Sequence, residues 1–473
     1  MARSDNADPE VASTTPHGRP EESPPDAPRK RRRTVLVWAL SLLVVAVAAM
    51  GGAVWALQAL TEPQTGAFTA PEAYPPAEPP RVLASADESA PVPDLASALP
   101  ELLADPRFSG NLSAVFADAL TGEILYEQAG TTPMTPASSM KVVTGVAAFE
   151  HLGAEYRIPT TVVEGPDEDS VVLVAGGDVA MTVDGEGYYG TGASLTELAE
   201  AVLAARDGIA PSTVYLDTSL FTDTVNAPGV PMSDLNLYTA PAAPIMLDGG
   251  RIDNTVHYTP HHQDPALYAA EVFAGLLGAG QVAEGTAEEG AAELATVYSE
   301  PMASLVDFLV LTSDNELADA VAFQTALAVE GEMTWGAIGQ AHMATLESLG
   351  VDTTGLVLND GSGMSPANRL TATAFAQLMT AAASSQASSV FQSLPVAGWS
   401  GSLAERFSTA EEGEGVVRAK TGTLTGVSSL TGSVTTDEGR LIVFSMISNG
   451  SANPRDVEAA MDEVTTAVSL CGC

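Results

Sequence analysis

The sequence predicts an α+β fold, and three observations predict it. Alternating apolar stretches stand near both ends of the folded part: "SAVFADALTGEILYEQAG" (113–130) turns at "LTGE", and "AKTGTLTGVSSLTGSVTTDEGRLIVFSMISNG" (419–450) reads as a β-meander. Helical spacing recurs between them, at 138–153 and 302–331. Strands and helices therefore come in separate runs rather than in strict alternation.

Taken in order, residues 1–33 are polar, proline-rich and mixed in charge, and read as a disordered cytoplasmic tail. The tail ends in "RKRRR" (29–33), and 27 uncharged residues follow, 34–60. At 1.5 Å per residue they can cross a hydrocarbon core of ~30 Å. No small-residue cleavage site follows closely, so the span is read as a retained signal-anchor. The basic run before it puts the rest of the chain outside the cytoplasm. Residues 61–94, with eight prolines, form a tether that can reach on the order of 100 Å. The folded part starts near Leu95. "SSMKVVTGVAAFEHLG" (138–153) reads as a helix ending at Gly153. Residues 151–290 are expected to form an inserted, mostly β domain, with "DSVVLVAGGD" and "STVYLDTSLF" as strands and "LTELAEAVLAARDG" as a helix. Residues 95–150 and 291–473 form the rest, closed by a helix over "PRDVEAAMDEVTTAVSL".

The net charge of −41 is unusual for a chain that is 45% hydrophobic. Residues 1–33 carry +1, which leaves −42 on the remainder. So acidic a surface excludes nucleic-acid binding, whose footprint is a basic patch. It is read as a solubility or salt adaptation, with a cationic partner as the other reading. The two cysteines, Cys471 and Cys473, make neither a disulfide framework nor a zinc ligand set; they pair with each other or are tail residues. His261 and His262 in "PHHQD" lack metal-ligand spacing and read as a surface loop. No metal or cofactor is expected.

Lysine usage points to the chemistry. Of 19 basic residues only Lys30, Lys141 and Lys420 are lysines, and Lys30 sits in the basic run. A desolvated or crowded ammonium can give up its proton, and a guanidinium effectively cannot. Lys141 follows Ser138 by three residues, so on a helix the two share a face. A neutral lysine there can take the serine proton and make it a nucleophile. The helix N-terminus adds a positive field for a developing oxyanion. "SDN" (313–315) and "KTGT" (420–423) complete the constellation. Lys420 is the second cation that helps keep Lys141 neutral. Ser313 can relay a proton from Lys420 to a leaving group, and Asn315 can hold a substrate amide. Thr421 and Thr423 offer hydroxyls, and Gly422 permits close backbone approach.

Ser-x-x-Lys, Ser-Asp-Asn and Lys-Thr-Gly together mark penicillin-binding proteins and serine β-lactamases. With "MTPASSMKVVTG", "LVAGGD", "SDNELAD", "NDGSGMSPANRLTA" and "VVRAKTGTLTGVSSLTGSV", the chain from about 95 to 465 resembles the D-alanyl-D-alanine carboxypeptidase/endopeptidase family of low-molecular-mass class C penicillin-binding proteins. The resemblance implies a β-lactamase/transpeptidase-like catalytic domain, an antiparallel sheet flanked by helices. It implies that Ser138, with Lys141, attacks the D-Ala-D-Ala carbonyl of peptidoglycan stem peptides and is acylated by β-lactams. The N–H groups of Ser138 and Thr423 would hold the oxyanion, Ser313 and Lys420 would protonate the leaving amine, and Thr421 with Thr423 would bind the terminal carboxylate.

Three departures accompany it. Lys141 and Ser313 are 172 positions apart, fewer than the family's two insertions imply, so one insertion is expected to be reduced or missing. "GDV" (177–179) replaces "GDP". Pro366 stands where the family has an arginine that reads diaminopimelate, with Arg369 three residues on. Asp360 and Ser362 of "DGSG" read equally as functional residues or as a structural turn. Two rivals are a membrane-anchored sensor without turnover and a β-lactamase, although the Glu-x-x-Leu-Asn arrangement of the latter is absent between 315 and 420.

Overall fold

A computed structural model describes residues 87, 89–234 and 237–472. The predicted tail (1–33), anchor (34–60), most of the tether and Cys473 lie outside the described residues. Among those described, no helix is long and apolar enough to cross a membrane.

The first long strand, Asn111–Asp118 (β1), is buried at every position after Asn111, which requires cover on both faces of its sheet. It pairs with Ile124–Gln128 (β2) across the turn predicted at "LTGE". The helix Met140–His151 (α1) is buried on all sides from Met140 to Phe149, so it is a central helix rather than an amphipathic surface one. Lys141 is carried into the interior with it.

The interval that follows builds its own sheet. Its strands are Pro159–Glu164 (β3), Ser170–Val174 (β4), Thr213–Asp217, Gln281–Glu284 and Glu293–Tyr298, with Asp178–Met181 (β5) set apart. We label Thr213–Asp217 β6, Ile245–Leu247 β7, Gln281–Glu284 β8 and Glu293–Tyr298 β9. The sheet order is β8-β6-β4-β3-β9, parallel across β8, β6 and β4 and antiparallel on either side of β3. Helices Leu195–Ala205 (α2) and Pro265–Leu277 (α3) bury Leu195, Leu198, Val202, Phe273 and Leu277 against it in a separate core. β5 pairs in parallel with β7 and joins the two cores. Val179, Ala180 and Met246 enter the core around α1, while Met181, Ile245 and Leu247 enter that of the second sheet.

The remaining elements return to the first sheet. Met302–Thr312 (α4), Asn315–Glu330 (α5), Trp335–Ser348 (α6) and Ala372–Ala383 (α7) precede the strands Arg418–Leu424 (β10), Val427–Thr435 (β11) and Leu441–Asn449 (β12). Pro454–Ser469 (α8) closes the fold. The five-stranded order is β10-β11-β12-β1-β2, antiparallel in every pairing. Alternation sends Val115, Ala117, Val443 and Ile447 into the core with α1, α4 and α7. Ala114, Phe116, Phe444 and Met446 face α8, and Phe116 stacks on Phe444 at 5.8 Å. The predicted α+β class, an antiparallel sheet flanked by helices with a strand-rich insertion, is the observed one.

Asp178 opens β5 at 1% exposure. Its Oδ1 accepts the Ala180 N–H at 2.8 Å, and its Oδ2 has no partner among the described residues. Burial pushes the carboxyl up to about 7. A carboxyl whose folded pKa is raised contributes stability below its unfolded value, and that contribution is lost as pH rises through 7. Asp178→Asn keeps Oδ1 and cannot ionise. Melting temperatures measured from pH 5 to 8.5 are expected to fall less steeply between pH 5 and 7 in this variant and to run parallel to the wild type above that; equal slopes below pH 7 would remove Asp178 as the cause.

Candidate active site

Ser138 lies in a short 3-10 turn, Ala137–Ser139, that feeds straight into α1. Ala137 holds φ at 49°, a left-handed conformation unusual for alanine. Lys141, one turn on, is fully buried. Its Nζ lies 3.1 Å from Ser138 Oγ, 2.8 Å from Asn315 Oδ1 and 2.6 Å from the Ser362 carbonyl oxygen. As an ammonium Nζ donates to all three; once neutral it keeps two N–H bonds for Asn315 and Ser362 and can turn its lone pair to the serine hydroxyl. Burial brings the Lys141 amine down to about 8, against the opposing pull of Asp319 and Asp360.

The second serine–lysine pair forms at a helix joint. Ser313 ends α4 with φ at 65°, and Asp314 caps α5 by accepting the Leu317 N–H. This sharp corner brings Ser313 Oγ to 2.9 Å from Lys420 Nζ, which also donates to the Thr421 carbonyl oxygen at 2.8 Å. Burial first, then the nearby Lys141, hold the Lys420 amine well below its ordinary value. Asn315 donates its Nδ2–H to the Tyr238 carbonyl oxygen at 2.8 Å, which fixes the orientation it presents to Lys141.

β10 supplies the opposite wall. The Ala419 N–H donates away from the sheet, to the Pro395 carbonyl oxygen. By alternation the Thr421 and Thr423 N–H groups also point to the outer edge of this edge strand. Gly422 is pressed against the nucleophile turn. A Cβ there would collide with Ser429 Oγ and stand 2.7 Å from the Pro136 carbonyl oxygen and 3.0 Å from Ser138 N. The Thr423 N–H is therefore beside the Ser138 turn. Ser429 pins that turn to the sheet through the Pro136 carbonyl at 2.6 Å and Ser139 Oγ at 2.8 Å. The threonine hydroxyls are engaged elsewhere: Thr421 with Ser402 Oγ at 2.7 Å, and Thr423 with Glu458 of α8 at 3.1 Å. All three motifs thus meet in one cleft.

Behind the cleft lies a buried ionic group that motif reading missed. The Arg251 guanidinium donates to Asp314 Oδ2 at 2.7 Å and to Glu316 Oε2 at 3.2 Å, with side chains at most 2% exposed. Tyr189 bridges Arg251 and Asp314, and Arg251 lies 3.9 Å over the Tyr188 ring. Burial works to raise both carboxyls. At Glu316 the His261 ring and Arg251 outweigh it and hold the group at about 2, whereas Asp314, repelled by Glu316, rises to about 6. His261 corrects the surface-loop expectation, because it is buried with Nε2 3.2 Å from Glu316 Oε1. Only His262 is partly exposed, stacked on Tyr268. A hydrophobic pattern cannot reveal that a histidine's partner is a carboxylate 55 residues away.

"DGSG" is a turn that serves the site. Asp360 accepts the N–H groups of Gly363 and Ser365 and the Asn368 amide. Asp319 Oδ1 accepts those of Gly361 and Ser362. Together they aim the Ser362 carbonyl at Lys141. Gly363 holds φ at 84°, and a Cβ there would collide with the Ala137 carbonyl oxygen. Pro366 is exposed, and Arg369 folds onto the Pro366 and Asn368 carbonyl oxygens and Thr135 Oγ1. Among the described residues no group of three or more His, Cys, Asp or Glu side chains is arranged to hold a metal.

The model of the D-Ala-D-Ala carboxypeptidase 3 (S13) family matches residues 95–262 and 254–468. Carboxypeptidase DacB of Mycolicibacterium smegmatis is 36% identical over 452 residues, 90% of this chain and 97% of that protein. D-alanyl-D-alanine carboxypeptidase of Actinomadura sp. strain R39 is 30% identical over 446 residues, 75% and 80% of the two chains. The crystal structure of penicillin binding protein 4 from Haemophilus influenzae has the same fold, with a TM-score of 0.64 at 21% identity over 76% of this chain and 95% of that one.

Two substitutions test the site's supports. Arg251→Met leaves two buried carboxyls without their cation and is expected to cost about 3–5 kcal/mol in urea unfolding. A loss below about 1 kcal/mol would show the group to be dispensable for the fold. Gly422→Ala is expected to slow covalent labelling by a fluorescent penicillin about 10²-fold, because the strand must retreat from Ser138. Unchanged labelling would mean that the close approach of β10 is not needed.

Proposed function

The chain belongs to the D-Ala-D-Ala carboxypeptidase 3 (S13) family, and from that premise we propose that it works as a serine acyl-transfer enzyme with Ser138 as nucleophile. The observation that carries this reading is the pair of buried lysines, each hydrogen-bonded to a different serine of one cleft. Lys141 takes the proton as Ser138 Oγ bonds to the penultimate D-alanine carbonyl carbon. The N–H groups of Ser138 and Thr423 receive the oxyanion. As the C–N bond breaks, the leaving amine takes a proton from the Ser313 hydroxyl, which Lys420 replenishes. Water then attacks the acyl-enzyme and gives up a proton that reloads Lys420, while Ser138 leaves with the proton returned by Lys141. Thr421, backed by Ser402, receives the terminal carboxylate, and Asn315 holds the substrate amide. Thr423 contributes mainly its N–H, since its hydroxyl is committed to Glu458.

Location follows from the sequence alone. The basic run at 29–33 and the uncharged span 34–60 support a single-pass anchor with this enzyme on the outer side, where peptidoglycan stem peptides and β-lactams are met.

Intact mass after exposure to a penicillin tests the nucleophile. An adduct is expected on the wild type and none on Ser138→Ala. An adduct without D-alanine release from stem peptides would favour a sensor, and rapid drug hydrolysis would favour a β-lactamase. The acylation rate should rise with pH through about 8 as Lys141 loses its proton, because only the neutral amine can accept one from Ser138. A rate that is flat or falling between pH 6 and 9 would exclude Lys141 as the base.

A further inference from the structure

The two ends of the β10 edge differ. Residues 395–397 cover one end: Ala419 N donates to the Pro395 carbonyl oxygen and Ala397 N to the Val417 carbonyl oxygen, both at 2.9 Å. The edge is open from Thr421 onward. A substrate along it, with its reacting carbonyl oxygen at the Thr423 N–H and its leaving amine at Ser313, points its leaving-group end towards Thr421. That end runs into the turn at 396–402.

Trp399 stands on this turn at 82% exposure, the most exposed large hydrophobic side chain among the described residues. The turn is held from several sides. Trp399 N and Ser400 N both donate to the Val396 carbonyl oxygen, and Val396 N donates to Ser400 Oγ. Gly401, at φ 56°, lies so close to the Leu311 carbonyl oxygen that a Cβ would collide with it, two residues before Ser313. Ser402 bonds Thr421. The turn that carries the indole is thus fixed beside both leaving-group residues, while the indole contributes nothing to a core, although a tryptophan is a large apolar surface to leave in water. Glu414, packed at Gly398, borders the turn with negative charge and disfavours an anionic lipid surface as the occupant.

We propose that Trp399 is a specificity residue on the leaving-group side, a platform for a leaving group larger than one D-alanine. Its occupant is a second stem peptide, joined to the scissile D-alanine through a side-chain amine, whose methylene chain and amide planes stack on the indole. The amide C–N bond of this cross-link breaks as the Ser138 Oγ–C bond forms, and the freed side-chain amine takes its proton from Ser313. The inference rests on the acyl-transfer reading above and adds to it the residue that reads the leaving-group side of the substrate.

The test compares full-length wild type, Trp399→Ala and Trp399→Phe on a monomeric pentapeptide stem and on the cross-linked dimer, with penicillin acylation as a check on the folded cleft. The ratio of kcat/KM for dimer over monomer is expected to fall about ten-fold in Trp399→Ala, mainly through KM for the dimer, and to recover largely in Trp399→Phe. An unchanged ratio, or a wild type that cleaves the monomer but not the dimer, overturns the platform. A wild type that cleaves neither overturns the acyl-transfer function itself, a distinct result.

Discussion

Keeping two lysine amines out of water is the constraint on which the rest of this structure depends. An ammonium in a dry interior is costly, and the protein relieves that cost by making the neutral form accessible. Lys141 sits on a helix buried on every side, and Lys420 on a strand packed against the turn that carries Ser138. Burial lowers the proton affinity of both, and at Lys420 charge repulsion from Lys141 adds to it. The same dryness strengthens every dipole aimed at the cleft, including the N–H groups on the open edge of β10.

Such a pocket needs a rigid frame, and the frame is polar. Asp319 and Asp360 fix the turn that presents the Ser362 carbonyl, while Arg251, Tyr189 and His261 fix the two carboxyls flanking Asn315. This group explains how four buried acidic residues stand near two buried lysines without forming direct ion pairs with them. Asp314 and Glu316 are matched to Arg251, Asp319 accepts two backbone N–H groups, and Asp360 accepts two more and the Asn368 amide. The lysines keep hydroxyls, an amide and carbonyls as partners, none of which pins the positive charge as a carboxylate would.

The insertion between Lys141 and Ser313 takes part in this frame rather than standing apart from it. Tyr189, Arg251 and His261 all belong to it, and all converge on the N-terminus of α5. The paired strands β5 and β7 share their side chains between the two cores. A change in the packing of the insertion is therefore felt at Asp314, next to the serine that we assign to the leaving group.

The sequence by itself determined the class of fold, the strand pair at 113–130, the helix that follows Ser138, the helices on either side of the Ser-Asp-Asn corner, and the closing meander. These rest on periodicity and on turn chemistry, which are local properties. It also marked the cleft residues, because lysine is so scarce that Lys141 and Lys420 stand out and short-range spacing links Lys141 to Ser138. What only the tertiary structure decided is how those residues are held. His261, read as a surface residue, is buried because Glu316 accepts it across the fold, and Arg251 carries no local pattern at all. Thr423 looked like a substrate hydroxyl, yet strand alternation turns that hydroxyl towards Glu458 and leaves the N–H facing the cleft. Trp399 gained its interest from exposure beside Thr421, which no window of sequence reports. Local spacing shows which side chains share an element, whereas burial and partnership depend on residues brought together from distant parts of the chain.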